Sequence, residues 1–371
     1  MLFSFAKGCG LVAAAVVAAS IPPATAVAAP SGEVVVSGST TRTASDVPGA
    51  AEVATFTYRT VGAEGLSTGQ VFVPEGDSPA GGWPVIAWAH GTVGMADMDA
   101  PSRAGVQYEI YRTLFGDWLR RGFLIVATDY AGLGTPGVHQ YLDAEVAAHN
   151  VVDSVFAARE LVPEASRTWA VAGQSQGGHA ALATAPRVAA LAPDLDFRGT
   201  FASGPPTNLD RLTALAGPDF PDLQLDGLTL YMVYIAAGLH QSRPDLDIGA
   251  YLTPLGAQLV EDADTTSMEE FRRRLVDVPV GSLFSRPLAG TPIPQAISEY
   301  FGVPVTGFDK PVMLVQGLTD SVVPVPLTLW FATDLALAGE QFDLRLPVAG
   351  HVEGLEQSIP EVGDYLEGIL R

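Results

Sequence analysis

Between positions 52 and 204 the chain alternates two kinds of apolar pattern. VATFTYRTV (53–61) and QVFVPE (70–75) predict strands joined by a Gly-rich turn. PVIAWAH (84–90), FLIVATDY (123–130), TWAVAG (168–173) and FRGTFASG (197–204) predict further strands. These later runs lack the apolar–polar alternation of a strand with one wet face, so they predict strands buried on both sides. Residues 104–121 carry Tyr108, Tyr111, Phe115 and Leu119 at steps of three or four, the spacing of one helix face. Residues 143–161 predict another helix, as does the small-residue stretch 178–192, interrupted by Pro186. Strands and helices in this alternation predict a parallel sheet covered on both faces.

The rhythm stops after Gly204. The middle segment predicts helices at EDADTTSMEEFRRRLVD (261–277) and LTLYMVYIAAGL (228–239), among prolines and acid clusters. Alternation resumes with the strand PVMLVQG (311–317), a helix around 326–338, the strand QFDLRLPVAG (341–350) and a final helix from about 353 to 370. The pattern describes one α/β domain, 49–204 and 306–371, interrupted by a mainly helical insertion, 205–305.

The N-terminus breaks the pattern differently. One positive charge, Lys7, precedes an apolar run from Leu11 to Ile21, and small residues suited to cleavage follow near Ala26 to Ala29. This is the layout of a secretory signal, expected over 1–28, and implies an extracellular protein. Pro22 and Pro23 end the apolar run well short of the roughly 20 residues a membrane anchor needs. Residues 29–48 are small and polar and read as a flexible leader.

Composition narrows the chemistry. The single cysteine, Cys9, lies inside the expected signal, so the exported chain has neither a thiol nucleophile nor a Cys-ligated metal. A domain this long does not depend on disulfides, because its core is large enough to hold it. The formal net charge of −21 repels phosphate backbones and argues against nucleic acid as a partner. The histidines His139, His149, His179 and His240 show no metal-ligand spacing, and neither metal nor cofactor is expected. Gly132-Leu-Gly-Thr-Pro-Gly137 fits a dinucleotide fingerprint, but Pro136 and the polar GVHQYLDAE delay the helix whose first turn would hold a pyrophosphate. It reads as a structured loop.

Two serines fit Gly-x-Ser-x-Gly: Ser67 in GLSTG and Ser175 in GQSQG. A serine hydroxyl is a weak nucleophile until a base takes its proton and donors stabilise the oxyanion. A sharp strand-to-helix turn provides that setting, with glycines where side chains would collide. Ser175 has the strand TWAVAG behind it and a helix ahead, with Gly177, Gly178, Ala180 and Ala181 small enough to lie close to the sheet. GLSTG sits between two short strands and reads as a hairpin turn.

The acid and histidine of a triad are then expected beyond late strands. Asp320 follows PVMLVQG and His351 follows the last strand, in that order. In this reading His351 takes the proton from Ser175, and Asp320 fixes the imidazole tautomer and stabilises the imidazolium. The oxyanion donors are the amide of Gln176 and one from AWAHGTVG (87–94), the amide of Thr92, with Gly91 as the alternative. His90, just before that turn, is expected to orient the loop rather than act as a base.

AHGTVG (89–94), DYAGLGTPGVHQYL (129–142), GQSQGG (173–178), GLTDSVVP (317–324) and AGHVEG (349–354) together resemble the α/β-hydrolase superfamily over residues 50–371. More narrowly the chain is similar to the secretory lipase family, the fungal lipase A-like group and its bacterial relatives. The resemblance implies an α/β-hydrolase fold, a mostly parallel central sheet flanked by helices, with 205–305 as a cap over the active site. It implies hydrolysis of carboxylic esters, often acylglycerols, through an acyl-enzyme, and contact with a small-molecule or lipid ester at lipid interfaces. Unlike the fungal members, this chain has no cysteines for disulfides. LTLYMVYIAAGL in the cap either lines an acyl pocket or is the buried face of a cap helix, and apolar helical runs are usually core. An acyltransferase or peptidase using the same triad, or a silent scaffold that binds a ligand, are the competing readings.

Overall fold

Strand β4 (Trp83–Ala89) lies inside a sheet flanked by β5 (Leu124–Thr128) and β6 (Ala165–Gln174). β7 (Asp196–Ser203), β8 (Val312–Val315) and β9 (Phe342–Arg345) continue it on one side. On the other side are β3 (Leu66–Pro74), β2 (Ala50–Arg59) and the short β1 (Thr41–Thr43). Among the described residues the sheet has nine strands in the order β1-β2-β3-β5-β4-β6-β7-β8-β9. From β5 to β9 every pairing is parallel, while β1–β2, β2–β3 and β3–β5 are antiparallel. The expected mostly parallel α/β sheet is therefore present. The structure is a computed structural model describing residues 41–43 and 47–371 apart from 107, 222, 224 and 226. The expected signal, 1–28, and most of the leader lie outside the described residues.

Burial explains the sequence pattern. All five residues of β5 are buried, because helices cover both of its faces, whereas β2 alternates buried and less buried positions as an outer strand does. One core layer packs helix Glu109–Arg120 and helix His351–Leu370 against the sheet through Trp88, Trp118, Phe123 and Leu366. The opposite layer packs helix Ala144–Leu161 and helix Gln176–Thr184 through Val151, Val155, Trp169 and Ala181. Between β7 and β8 the chain builds a mainly helical insertion with its own core, including Tyr234, Phe271 and Phe301. No helix among the described residues is long and apolar enough to cross a membrane.

Several local expectations change. The first of the expected strands begins at Ala50, and β1 precedes it in the stretch read as leader. Helix 104–121 divides into Pro101–Ala104 and Glu109–Arg120. Helix 178–192 divides at Pro186, which sits in a 3-10 turn between Gln176–Thr184 and Val188–Leu191, since proline cannot continue the hydrogen-bond ladder. The run 261–277 is two helices, Pro254–Asp262 and Met268–Arg274, the second capped by the Ser267 side chain accepting from the Glu270 amide. GLSTG is mostly strand: only Gly65 closes the hairpin turn, while Leu66–Gly69 belong to β3, paired with β2 on one side and, at Gly69, with β5 on the other.

Candidate active site

β6 ends inside the sheet and passes directly into helix Gln176–Thr184, with Ser175 as the corner. Its backbone sits at φ 56° and ψ −120°, a conformation that L-residues rarely hold. The neighbours make the corner tight. A Cβ on Gly177 would lie 1.7 Å from the Ala89 carbonyl oxygen, and one on Gly173 would lie 2.0 Å from that of Gly177. Only glycine at both positions lets the helix start this close to β4. The Ser175 amide donates to the Ser203 carbonyl at 2.7 Å, tying the corner to the end of β7.

Asp320 stands in the loop after β8. Its Oδ1 accepts from the amides of Val322 and Val323, both at 2.8 Å, and its Oδ2 accepts from His351 Nδ1 at 2.7 Å. Gln316 Nε2 donates to the same Oδ2 at 2.9 Å, while Gln316 Oε1 accepts from the Thr328 hydroxyl at 2.7 Å. Burial pushes the Asp320 carboxyl up, but the His351 bond and the two amides outweigh it, so the group is held below its ordinary value and stays ionised. Because Nδ1 faces the carboxylate, it carries the imidazole proton and Nε2 is left with its lone pair.

Ser175 and this pair meet across one residue. Gly204 follows the Ser203 carbonyl that holds the Ser175 amide, and a Cβ on it would lie 2.8 Å from His351 Cε1. His351 Nε2 is buried and has no hydrogen-bond partner, so no Ser175–His351 bond is formed here. Asp320 and His351 are thus directly joined, and Ser175 is brought beside them without being bonded.

The loop after β4 lies against the same corner. A Cβ on Gly91 would come within 2.4 Å of Gln174 Oε1 and 3.1 Å of the Tyr111 hydroxyl, and that hydroxyl donates to Gln174 Oε1 at 2.8 Å. Burial pushes the Tyr111 hydroxyl well up. The Thr92 side chain shares a 2.6 Å hydrogen bond with the Tyr141 hydroxyl. His90 faces two backbone carbonyls, Gly91 at 2.6 Å and Asp129 at 3.3 Å, and its ring lies 4.6 Å from that of Tyr130 at a tilt of 47°. It ties the loop to the end of β5. The Gln176 side chain is 2.8 Å from His139 Nε2.

Ser67 is elsewhere. It is fully buried in β3, donating to the Thr68 carbonyl with Thr128 Oγ1 3.4 Å away, and neither acid nor histidine contacts its hydroxyl. The GLGTPG loop folds on itself, since a Cβ on Gly132 would lie 2.6 Å from the His139 amide nitrogen, and the next helix starts only at Ala144. Gln316, Tyr141 and His139 are contacts that sequence reasoning missed. The only signal for Gln316 was a polar residue ending an apolar strand; Tyr141 and His139 lay in a motif with no role attached to single positions.

Ser175 opens onto a narrow cavity of about 80 Å³ between the sheet domain and the insertion. From the insertion it is lined by Phe220, Leu228, Tyr231, Met232, Ile235 and Ile297, and from the domain by Val322, Val323 and Leu327. Its few polar side chains include Asp210 and Thr213.

A mostly parallel sheet of this order, with a tight strand–helix corner after a central strand, is the α/β-hydrolase fold. Residues 98–270 match the secretory lipase family, and the narrower resemblance read from the sequence is borne out. That span includes two of the five motifs, 129–142 and 173–178. No curated protein matches the chain significantly in sequence. Among solved structures, the chain is similar to LipA, a rice cell wall degrading esterase from Xanthomonas oryzae. The TM-score is 0.72 at 22% identity, over 86% of this chain and 91% of that one. It is also similar to Candida antarctica lipase A in its closed state, with a TM-score of 0.70 at 18% identity, over 88% of this chain and 79% of that one.

Proposed function

We propose that the protein is a secreted serine ester hydrolase, a lipase or carboxylesterase acting on lipid esters. The observation that carries this reading is that Ser175, at a strained strand–helix corner beside the Asp320–His351 pair, opens onto a cavity with an almost wholly apolar lining. The secretory lipase match and the fold shared with an esterase and a lipase support ester hydrolysis as the general reaction.

In the first half-reaction His351 Nε2 accepts the Ser175 proton as Oγ attacks the ester carbonyl. The amides of Gln176 and Thr92 stabilise the oxyanion of the tetrahedral intermediate, with the Gly91 amide as the alternative to that of Thr92. The C–O bond to the alcohol breaks, and His351 returns the proton to the departing alkoxide. Water then attacks the acyl-enzyme with the same base, releasing the acid and restoring Ser175. Asp320, ionised throughout, stabilises the imidazolium formed in each half. The cavity takes the acyl chain, and residues 205–305 act as its cap over the 49–204 and 306–371 core. Residues 1–28 are removed on export.

The test is turnover of p-nitrophenyl esters of graded chain length by the purified mature protein beside Ser175→Ala. The variant is expected to lose activity by at least about 10³-fold; equal rates would end the nucleophile assignment. Activity on short esters alone, with none on emulsified triglyceride, would make the protein an esterase. A fluorophosphonate label on another serine would move the site.

A further inference from the structure

The loop 129–142 touches both proposed oxyanion residues from behind, through side chains two positions apart. His139 Nδ1 lies 3.2 Å from the Ala131 carbonyl, which only accepts, so Nδ1 carries the proton and Nε2 presents a lone pair. The Gln176 side-chain amide donates to that lone pair at 2.8 Å. The ring is buried and stacks on Tyr130 at 5.5 Å and 16°, and burial pushes its pKa down to about 4, against the opposing pull of the Ala131 carbonyl. It therefore remains a neutral acceptor at ordinary pH. Two residues on, the Tyr141 hydroxyl meets Thr92 Oγ1 at 2.6 Å, while the Tyr141 carbonyl accepts from the Tyr300 hydroxyl of the insertion at 2.7 Å.

The loop is built to be rigid. Tyr130 and Leu142, near its two ends, both have positive φ, 69° and 64°, strain that persists only where the surroundings over-determine it. Gly132 closes against the backbone of Val138 and His139, and its amide donates to Thr135 Oγ1, whose hydroxyl donates to the Leu66 carbonyl. A flexible loop would not hold two unrelated elements, the turn after β4 and the first residue of the serine helix, at one separation.

We propose that His139 and Tyr141 are positioning residues that clamp Gln176 and Thr92, fixing the distance between the two amide donors of the oxyanion hole. The proposal rests on the serine hydrolase reading above. It assigns to the 129–142 motif a task that neither its glycines nor its aromatic residues disclose by themselves. A donor displaced by a fraction of an ångström loses part of the stabilisation that preorganised donors provide at the transition state, while ground-state binding of the ester changes little.

The experiment is a double-mutant cycle of His139→Ala and Gln176→Leu, the second keeping the backbone amide, assayed on p-nitrophenyl butyrate. A trifluoromethyl ketone that forms a hemiketal oxyanion with serine is the second probe. Each single variant is expected to lower kcat on the order of tenfold to a hundredfold with KM nearly unchanged, and to weaken the ketone in parallel. The double variant is expected to lose no more than either single one, because both remove the same contact. His139→Gln, whose side-chain oxygen can replace Nε2 as acceptor, is expected to recover most of kcat. Losses that multiply in the double variant, or a loss confined to KM with the ketone unaffected, would overturn the clamp. Should His139→Ala not fold, an unchanged kcat in Gln176→Leu overturns it alone. Fluorophosphonate labelling of Ser175 separates the cases: a labelled Ser175 with unchanged kcat in the variants sinks only the clamp, whereas full activity in Ser175→Ala sinks the hydrolase reading.

Discussion

Ser175 shows how little of a site resides in the residue that names it. Its unusual backbone is sustained by two glycines, by the Ser203 carbonyl and by the close approach of β4. Gly177→Ala would drive a methyl group into the Ala89 carbonyl, which belongs to an interior strand and cannot retreat. We expect it to cost at least about 3 kcal/mol of stability, read as a fall in the urea midpoint, with soluble expression falling as well. Asp320 is held differently, by two amides, Gln316 and His351. Asp320→Asn keeps the size but removes the charge that stabilises the imidazolium, so kcat is expected to drop on the order of 10³ to 10⁴-fold with Tm little changed. A kcat within tenfold of wild type would remove Asp320 from the triad. The chain order Ser175, Asp320, His351 was legible in the sequence, and the structure joins Asp320 to His351. Gln316 was not, because its partners Asp320 and Thr328 are brought round it only by the loop that follows β8.

At the scale of elements, the helix Leu228–Ser242 answers a question that its sequence left open. Leu228, Tyr231, Met232 and Ile235, at steps of three or four, line the cavity beside Ser175. Leu230, Val233, Tyr234 and Ala237 are buried in the insertion's own core. From Leu228 to Leu239 the helix is both wall and core, its cavity face half-buried and its other face fully buried, which accounts for a sequence apolar nearly all round. The two faces should respond differently. Met232→Trp is expected to lower kcat/KM for long-chain p-nitrophenyl esters about tenfold while sparing the acetate and butyrate. Val233→Ala should cost roughly 2 kcal/mol of stability and leave the chain-length profile as it was. The same profile in both variants would mean that the cavity does not hold the acyl chain. Elements with one buried face were read well from their spacing. Those that divide, between Ala104 and Glu109, at Pro186 and before Met268, were placed but not cut, since a helix end depends on what each terminus packs against.

For the whole molecule, buried titratable groups set opposing pH dependences. His139 and His179 have their pKa lowered by burial from 6.5 to about 4. Between those values the unfolded chain binds protons that the folded chain refuses, so stability supplied by these imidazoles is lost as pH falls from 6.5 towards 4. Asp153 is the reverse. Burial raises it from 3.8 to about 7, against a hydrogen bond from Thr60, and its Oδ2 has no partner. The folded state there keeps a proton that the unfolded chain gives up, so this group removes stability as pH rises from 3.8 to about 7. We expect Asp153→Asn to leave Tm nearly unchanged at pH 4 and to raise it by a few degrees at pH 8, on the order of 2 kcal/mol. Scanning calorimetry of both proteins across that range is the check, and a gain that does not grow with pH would contradict the burial argument.

The sequence by itself determined the α/β alternation, the interruption after Gly204 and the choice of Ser175 over Ser67, because strand burial, helix spacing and the need for small residues at a sharp corner are written locally. Only the tertiary structure decided that GLSTG is mostly strand, that one apolar helix has two duties, and that His139 and Tyr141 reach behind Gln176 and Thr92. Each of these depends on residues far apart in the chain meeting at one place, and no local pattern records which distant partner a side chain will meet.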